Sequence, residues 1–430
     1  MMYRIKSFIK SLMPSSALDR YHYTMAMLGA VYYRFPSRKL FVVGITGTKG
    51  KSTTAELVAA ILEEAGFTVA LASTIRFAIG KESEPNLFKM TMPGRFFLQR
   101  FLRKAVRQGA THAVIEMTSE GAKQYRHKGI ALDALIFTNL QPEHLESHGG
   151  MEQYAAAKLS LAKHLESSSK RPRYIVANAD DKYGKDFLAI NVEARAPFRL
   201  SDAEPYSTDE KSVRFVWRGG TLFTVPLPGV FNIKNMLAAL TLGDAMGIDE
   251  RVMQRALEHI KPIAGRAERV EKGQPFAVIV DYAHTPDSLR ALFEAYSGQK
   301  TRLDSKSSTR QVIGVIGSTG GGRDTWNRPE KGKVADELCD IAFITNEDPY
   351  DEDPQKIVEA IAKGFTKKKP LVVLDRRQAI RDALKEAKDG DIVLITGKGT
   401  DPYIMLAHGN KEPWSDKKVA EEELKKLGYH

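Results

Sequence analysis

Cysteine is nearly absent from the chain, since Cys339 is the only one in 430 residues. A single thiol cannot form an internal disulfide, and its isolation excludes a cysteine-rich metal site. Long apolar runs are also missing: the stretch from Tyr23 to Tyr33 is far shorter than the ~20 residues that a membrane span needs. The start of the chain carries Arg4, Lys6 and Lys10 but lacks a signal-peptide core with a cleavage site. Together these absences favour a cytoplasmic protein.

The charge balance is basic, with 64 lysines and arginines against 53 acidic residues and a formal net charge of +11. Such a charge favours anionic partners, which include nucleic acid, phosphates and anionic lipid. The basic residues are spread along the chain, and the only tight run, Lys367 to Lys369, is typical of a solvated face. No nucleic-acid-binding motif is recognisable. We therefore expect the anionic partners to be a nucleotide and an acidic substrate rather than nucleic acid.

The stretch Met1 to Arg34 has a helical pattern. A helix packed on the next domain is the favoured interpretation, and a helix lying on a membrane surface is the alternative. The sequence therefore predicts no transmembrane segment, and a peripheral contact with a membrane is the remaining alternative. We expect a monomer.

After residue 39, branched apolar stretches alternate with helical patterns, which is typical of an α/β fold with a parallel sheet. The first series of predicted strands is Leu40 to Thr46, Thr68 to Ala72, Ala113 to Met117, Ala134 to Thr138 and Tyr174 to Asn178. Two alternating stretches around Arg218-Gly219-Gly220 predict an antiparallel hairpin at the edge of this sheet. Paired helices are predicted over 235–246 and 251–260.

A second α/β series follows a predicted hinge near residues 266–272. Its predicted strands cover residues 277–281, 312–317, 341–345, 371–374 and 392–396. The polar segment Lys300 to Arg310 within this series predicts a mobile loop.

A phosphate-binding loop is predicted between the first strand and the helix that follows it. The residues expected to contact ATP there are Gly47, Thr48, Lys49, Gly50, Lys51, Ser52 and Thr53. The glycines let backbone N–H groups turn toward phosphate oxygens, Lys51 adds positive charge, and the Ser52 hydroxyl can ligate Mg²⁺. Ile45 stands where the strict pattern has glycine, and a glycine-rich turn without a ligand is the alternative. Motors, switches, kinases and ligases share such a loop, so it does not define the reaction.

Longer stretches carry a resemblance to a known family. The segment Gly47 to Thr53 resembles the loop of the Mur ligase and folylpolyglutamate synthase superfamily. The segment Phe137 to Lys158, with its Phe-Thr-Asn-Leu, Glu-His-Leu-Glu, His-Gly, Met-Glu and Ala-Lys elements, is similar to MurE-type Mur ligases. The similarity continues through Gly229 to Asn235, Gly265 to Glu268, Asp281 to Asp287, Asp375-Arg376 and Gly397 to Gly399. It covers nearly everything from Leu40 to Ala420.

The resemblance implies an ATP-dependent ligase that joins an amino acid to a UDP-muramoyl dipeptide through an acyl phosphate, in cell-wall peptide synthesis. ATP and Mg²⁺ are the implied cofactors. Three segments are implied: a short helical lead-in (1–39), a central P-loop ATP-binding domain (40–267), and a C-terminal Rossmann-like domain that binds the amino acid (268–430).

The resemblance also implies roles for individual side chains. The implied metal ligands are Ser52, Glu116, His144 and Lys158, the last as a carbamate formed with CO₂. The implied catalytic residues are Lys51, Lys158, His144 and His284. Further implied nucleotide contacts are Asn232, Asn235, Arg266, Asp281, Asp375 and Arg376. The implied substrate contacts are Thr118, Ser119, Asp348, Pro349, Tyr350, Gly397 and Asp401. Read without the resemblance, Lys158 is typical of a solvated helix residue and the two asparagines are typical of helix N-caps.

One departure from the family bears on the substrate. MurE-type ligases that use diaminopimelate carry Asp-Asn-Pro-Arg, where this chain has Glu347-Asp348-Pro349-Tyr350. Tyrosine cannot form the bidentate ion pair that arginine forms with a carboxylate, whereas the acidic residues 351–353 that follow suit a cationic side chain. We therefore predict L-lysine or another basic amino acid rather than diaminopimelate.

A second departure bears on the acceptor. The stretch before Leu40 is shorter than the domain with which family members hold uridine diphosphate. The same chemistry on a lipid-linked or other carrier-bound acceptor, or on a folylpolyglutamate-type substrate, is therefore the alternative, although the stretch Asp281 to Asp287 favours the MurE type. A nucleotide-dependent nucleic-acid binder is suggested by charge alone. The complete set of implied metal ligands argues against an inactive binding protein.

Overall fold

A computed structural model describes residues 15–143, 145–297 and 310–430. The predicted N-terminal helix is confirmed over Ser15–Tyr32 (α1), while residues 1–14 and nearly all of the predicted loop Lys300 to Arg310 lie outside the described residues. Within the described ranges, no helix is both long enough and apolar enough to cross a bilayer.

The remaining helices alternate with the strands in the order that the sequence predicts for an α/β protein. They are α2 (Lys51–Glu64), α3 (Arg95–Arg107), α4 (Ser119–Lys123), α5 (Leu145–His148), α6 (Met151–Glu166), α7 (Gly184–Leu188), α8 (Val230–Ala245), α9 (Glu250–Glu258), α10 (Pro286–Ser297), α11 (Asn327–Leu338), α12 (Pro354–Ala362), α13 (Arg376–Glu386) and α14 (Asp416–Lys426).

An eight-stranded sheet forms the core of the first compact unit. Its strands are β1 (Phe41–Thr46), β2 (Val69–Ala72), β3 (Arg76–Ile79), β4 (Glu82–Pro85), β5 (His112–Glu116), β6 (Ala134–Phe137), β7 (Tyr174–Asn178) and β8 (Ala194–Phe198). They lie in the order β4-β3-β2-β5-β1-β6-β7-β8, and all neighbours are parallel except β2–β3 and β3–β4. The five strands that the sequence predicted all lie in the interior of this sheet. Interior strands are buried on both faces and appear in the sequence as continuous apolar runs, which is why they could be predicted.

The edge strand β4 was not predicted. Its sequence, Glu-Ser-Glu-Pro, is exposed throughout and carries charge and proline, which protect an edge from pairing with another chain. Hydrophobicity therefore gives no signal for it.

The predicted hairpin is confirmed, but its predicted place at the edge of the parallel sheet is wrong. Strands β10 (Val213–Val216) and β11 (Leu222–Val225) pair with β9 (Tyr206–Thr208) in a separate three-stranded antiparallel sheet. The side chains of Val213, Phe215 and Phe223 are fully buried, so one face of this sheet packs inward. The two edges of the eight-stranded sheet are formed by β4 and β8 instead.

The second compact unit contains a six-stranded sheet. Its strands are β12 (Glu268–Arg269), β13 (Ala277–Asp281), β14 (Val312–Ile316), β15 (Ile341–Ile344), β16 (Leu371–Val372) and β17 (Ile392–Thr396). The order is β12-β13-β17-β14-β15-β16, with β12 alone antiparallel in this sheet. Strands β18 (Tyr403–Met405) and β19 (Lys411–Pro413) form a small hairpin. The five predicted strands of the second series are confirmed.

The two compact units do not follow the chain in simple order. The first contains the described residues up to 141 together with 149–200 and 235–256, and the second contains 142–148, 201–234 and 257 onward. This division groups residues by packing, so the predicted domain boundary between residues 267 and 268 stays a prediction.

A buried histidine pair in the first unit predicts acid sensitivity. The rings of His127 and His164 meet edge to face with centroids 4.8 Å apart, and His164 contacts the carbonyl of Ile130 at 2.8 Å. Burial lowers the pKa of His164 from 6.5 to about 4, opposed by the Ile130 contact. The unfolded chain binds a proton at His164 more tightly than the folded chain does. The contribution of His164 to the unfolding free energy is therefore fully present above pH 6.5 and is lost as the pH falls toward 4.

We expect protonation of His164 to remove roughly 1 kcal/mol of unfolding free energy between pH 7.5 and pH 5.5. Urea unfolding at both pH values measures the loss, and His164→Gln, which keeps a donor for the Ile130 carbonyl, should reduce it. An equal loss in the variant would contradict the assignment.

Candidate active site

The predicted phosphate loop connects β1 to α2 and needs its glycines. Gly47 and Gly50 have φ values of 148° and 81°, in the region that favours glycine. A Cβ at Gly47 would lie 1.9 Å from Thr138 Oγ1, and one at Gly50 would lie 2.1 Å from Asn235 Oδ1. Ile45 lies inside β1 and is fully buried, so the loop begins after the position where the strict pattern asks for glycine.

Neighbouring segments fix the shape of this loop. Asn139 Oδ1 accepts the Lys49 N–H at 2.9 Å, and Thr138 Oγ1 donates to the Lys49 carbonyl at 2.7 Å. The Thr48 hydroxyl lies 3.1 Å from the Tyr154 hydroxyl. The ammonium of Lys51 donates to the carbonyls of Gly47 and Thr48 at 3.0 and 2.9 Å. The loop is therefore held from both sides, with positive charge at the start of α2, which suits an anion.

Two further predicted residues of the first unit are buried beside the loop. The Lys158 side chain is only 2% exposed, so the alternative of a solvated residue is wrong. Its ammonium donates to the Gly47 carbonyl at 2.6 Å and lies 4.7 Å from the centre of the Tyr154 ring. Glu116 is fully buried at the end of β5, where it pairs in register with Ile45 of β1.

The Glu116 carboxylate is held in place by Thr74, whose N–H and hydroxyl donate to it at 2.8 and 3.0 Å. Ser52, in the first turn of α2, is 4% exposed. His144, predicted as a further metal ligand, lies outside the described residues. The described ranges contain no group of three His, Cys, Asp or Glu side chains that could hold a metal. The buried carboxylate and the serine hydroxyl are the hard oxygen ligands that Mg²⁺ prefers, so both residues fit that ion.

Asn235 lies next to the loop, whereas Asn232 has a different partner. The Asn235 amide oxygen is 3.5 Å from the Thr54 hydroxyl, and the Asn232 amide donates to the Pro228 carbonyl at 2.8 Å. The N-cap interpretation of both is wrong, because α8 begins at Val230 and contains both residues.

In the second unit, the partly exposed side chain of His284 pairs with the buried side chain of Glu143. Their side chains meet at 2.8 Å between Nε2 and Oε1, and the other ring nitrogen lies 2.8 Å from the Tyr282 carbonyl. Both ring nitrogens therefore face acceptor atoms, which fixes the orientation of the His284 ring. Glu143 was not predicted as a site residue, although it stands in the Glu-His-Leu-Glu element.

Asp281 binds the backbone of two segments, one around Ala267 and one around Ala283. Its carboxylate accepts the N–H groups of Ala267 and Ala283, each at 2.7 Å. Burial raises the pKa of Asp281, an effect that the Arg266 guanidinium opposes. Arg266 itself lies with its guanidinium carbon 4.7 Å from the centre of the Tyr282 ring. These contacts position the segment after β13, and a contact of Asp281 or Arg266 with nucleotide stays a prediction.

Comparisons with known proteins identify the fold and the class of enzyme. The Mur ligase middle domain matches residues 45–243, and the Mur ligase glutamate ligase domain matches residues 265–399. A UDP-N-acetylmuramyl-tripeptide synthetase from Roseiflexus sp. (strain RS-1) is 36% identical over 97% of this chain and 84% of its own length. The chain belongs to the Mur ligase family.

Other relatives agree. A UDP-N-acetylmuramoyl-L-alanyl-D-glutamate--2,6-diaminopimelate ligase from Syntrophomonas wolfei is 34% identical over 93% of this chain and 81% of its own length. A solved structure of a ligase with that name has a TM-score of 0.62 at 26% identity, covering 94% of this chain and 82% of its own. The predicted family, the P-loop and Rossmann-like α/β fold, and the class of ATP-dependent, ADP-forming ligase are thereby confirmed.

Other predicted site residues of this Mur ligase have clear local roles. Thr118 caps α4 by accepting the Gly121 N–H at 3.0 Å, and Asp375 caps α13 by accepting the Gln378 N–H at 3.0 Å. Arg376 forms a buried ion pair with Asp416 at 2.7 Å. Contacts of Thr118, Ser119, Asp375 and Arg376 with ligands stay predictions.

The segment aligned with the family's Asp-Asn-Pro-Arg is tied down by a buried lysine. Lys398 donates to Asp348 Oδ1 at 2.9 Å and to the Tyr403 carbonyl at 2.7 Å, and it lies 3.5 Å from Asp401. Asp348 also accepts the Met405 N–H at 2.7 Å. The charge of Asp348 is therefore already balanced within the ligase.

The acidic residues that follow are mostly occupied as well. Glu352 pairs with Arg328, and Asp353 caps α12 by accepting the Gln355 N–H at 2.9 Å. Asp351 is 72% exposed. The predicted acidic cluster is thus not a set of carboxylates that all face one ligand.

Glu347 has an unsatisfied oxygen and was not predicted as a site residue. Its side chain is 2% exposed, and Thr319 donates to Oε1 at 2.9 Å, while Oε2 has no hydrogen-bond partner. A Cβ at Gly397 would lie 2.4 Å from that oxygen. Glu347, Thr319 and Gly397 follow β15, β14 and β17, which are neighbours, so they share the edge at which open α/β sheets bind ligands.

Proposed function

We propose that this ligase adds an amino acid with a cationic side chain, such as L-lysine, to a UDP-muramoyl dipeptide in cell-wall peptide synthesis. The relatives named as tripeptide synthetase and diaminopimelate ligases support the dipeptide acceptor. The unsatisfied, buried carboxylate oxygen of Glu347 supports a ligand with an ammonium group. The single observation that favours lysine over diaminopimelate is tyrosine at position 350, where the arginine that would bind a second carboxylate is missing.

The reaction needs an activated carboxylate. An oxygen of the acceptor carboxylate attacks the γ-phosphorus of ATP, the bond to the bridging oxygen breaks, and ADP leaves an acyl phosphate. The amine then attacks the acyl carbon, and phosphate leaves as the amide forms. Lys51 and the glycine loop are proposed to hold the phosphates. Mg²⁺, held by Ser52, Glu116, His144 and a carbamate on Lys158, would neutralise charge on them.

The amine must lose a proton before or during its attack. The pair of His284 and Glu143 offers a nitrogen and a carboxylate, joined at 2.8 Å, that can accept and hold that proton. We assign His284 this role in the proposal, with Glu143 keeping the ring oriented.

Diaminopimelate is the second candidate amino acid, and Arg323 favours it. Its guanidinium carbon lies 5.2 Å from the centre of the Tyr350 ring, so a cation stands near the position where the family has arginine. Such a cation can pair with the second carboxylate of diaminopimelate.

Product formation across a matrix of acceptors and amino acids tests the proposal. UDP-muramoyl dipeptide, a lipid-linked equivalent and a folate are each combined with L-lysine, L-ornithine and meso-diaminopimelate, and the product mass is read. We expect lysine or ornithine to be joined to the UDP-linked acceptor, with ADP released. Preference for diaminopimelate would overturn the choice of amino acid, and exclusive use of another acceptor would overturn the acceptor.

A further inference from the structure

Two helices of the first unit present an exposed face that carries none of the predicted site residues. Helices α1 and α3 pack together: a Cβ at Gly29 would touch Phe96 at 3.5 Å, and the rings of Tyr32 and Phe96 are 6.5 Å apart. The exposed side chains of both helices therefore adjoin at Tyr32 and Phe96, and we call them together the α1–α3 face.

The α1 part of this face is apolar and aromatic. Tyr21, Leu28 and Tyr32 are seven and four residues apart, so they lie along one side of the helix. They are 51%, 51% and 73% exposed, and Val31 beside them is 57% exposed. Contiguous exposed apolar residues of this kind mark an interaction surface more often than chance exposure.

The α3 part is basic. Phe96, Arg100, Arg103 and Arg107 follow at spacings of four, three and four residues, which places the three arginines in line with the exposed Phe96. Among the described residues, none of these three guanidinium groups forms an ion pair with a carboxylate. The neighbouring Lys104, by contrast, is paired with Glu82 at 3.4 Å.

We propose that the α1–α3 face docks the ligase on an anionic lipid surface. Three arginines without a carboxylate partner complement acidic headgroups, and tyrosines together with Leu28 and Val31 suit the boundary between headgroups and acyl chains. Nucleic acid would use the arginines but would leave the aliphatic side chains in water. A second copy of the chain would bring two rows of like charge together.

Sedimentation of the full chain with vesicles tests this docking. Vesicles of phosphatidylcholine with about a third phosphatidylglycerol should bind the ligase, and pure phosphatidylcholine should not. The triple variant Arg100→Gln, Arg103→Gln, Arg107→Gln should lower the partition coefficient on the order of a hundredfold, at about fivefold for each charge. The pair Leu28→Ser and Tyr32→Ser should weaken binding without a change in charge.

A matched control separates the face from net charge. Lys363→Gln, Lys367→Gln and Lys369→Gln remove the same charge from exposed positions of the second unit and should leave vesicle binding intact. Turnover without vesicles should be unchanged in every variant. Equal loss in both triple variants, equal binding to neutral vesicles, tighter capture of duplex DNA through the same arginines, or self-association through this face in place of vesicle binding would each overturn the proposal.

Discussion

Replacing Lys158 by alanine is expected to lower ligase turnover about a thousandfold, because the proposed carbamate would help to hold the Mg²⁺ that neutralises charge on the phosphates. Lys158 is 2% exposed and lies 2.6 Å from the Gly47 carbonyl, so its nitrogen is at the loop where the phosphates are proposed to bind. The measurement is amino-acid-dependent ADP release at saturating substrates.

Chemical rescue of Lys158→Ala distinguishes a carbamate on Lys158 from a free ammonium. If a carbamate is needed, short carboxylates such as formate or acetate should restore part of the turnover of Lys158→Ala, and removal of bicarbonate should slow the unchanged ligase. Lys163→Ala is the matched control, since Lys163 is exposed on the same helix. Rescue by ethylamine instead of carboxylates would show that the ammonium itself is required, and the carbamate would be rejected.

Local patterns were sufficient to predict the phosphate loop and the central strands. The loop around Gly50 is defined by backbone conformation and by the helix that follows, both of which are encoded within a few residues. Strands such as β14 and β17 are buried on both faces and therefore appear as apolar runs. Edge strand β4 has neither property, and the pairing partner of the β10–β11 hairpin depends on β9, which has no strong pattern of its own.

Side-chain partners that are distant in sequence could not be predicted in the same way. The guanidinium of Arg376 pairs with Asp416, forty residues further along the chain, and no local pattern indicates this partner. The acidic stretch 351–353 suggested a cationic ligand, yet Glu352 is already paired with Arg328. Whether a charge is available to a ligand depends on the folded neighbours, which local spacing does not reveal.

Glu347→Gln is expected to lower kcat/KM for the amino acid on the order of a hundred- to a thousandfold, while KM for ATP changes little. The carboxylate is buried and Oε2 has no hydrogen-bond partner, and a buried carboxylate oxygen without a partner is costly unless a ligand cation completes it. We infer that the ammonium of the incoming amino acid is that cation. Glutamine keeps the shape and the Thr319 contact but removes the charge.

The stability of the variant distinguishes a binding role from a structural one. A buried carboxylate whose ligand is absent destabilises the ligand-free enzyme. Glu347→Gln should therefore leave the unfolding free energy unchanged or raise it. Asp351→Asn is the control, because that side chain is exposed in the same loop and should affect kcat/KM less than threefold. If Glu347→Gln destabilises the free ligase and leaves kcat/KM for the amino acid intact, Glu347 supports the fold and the cationic ligand must be held elsewhere.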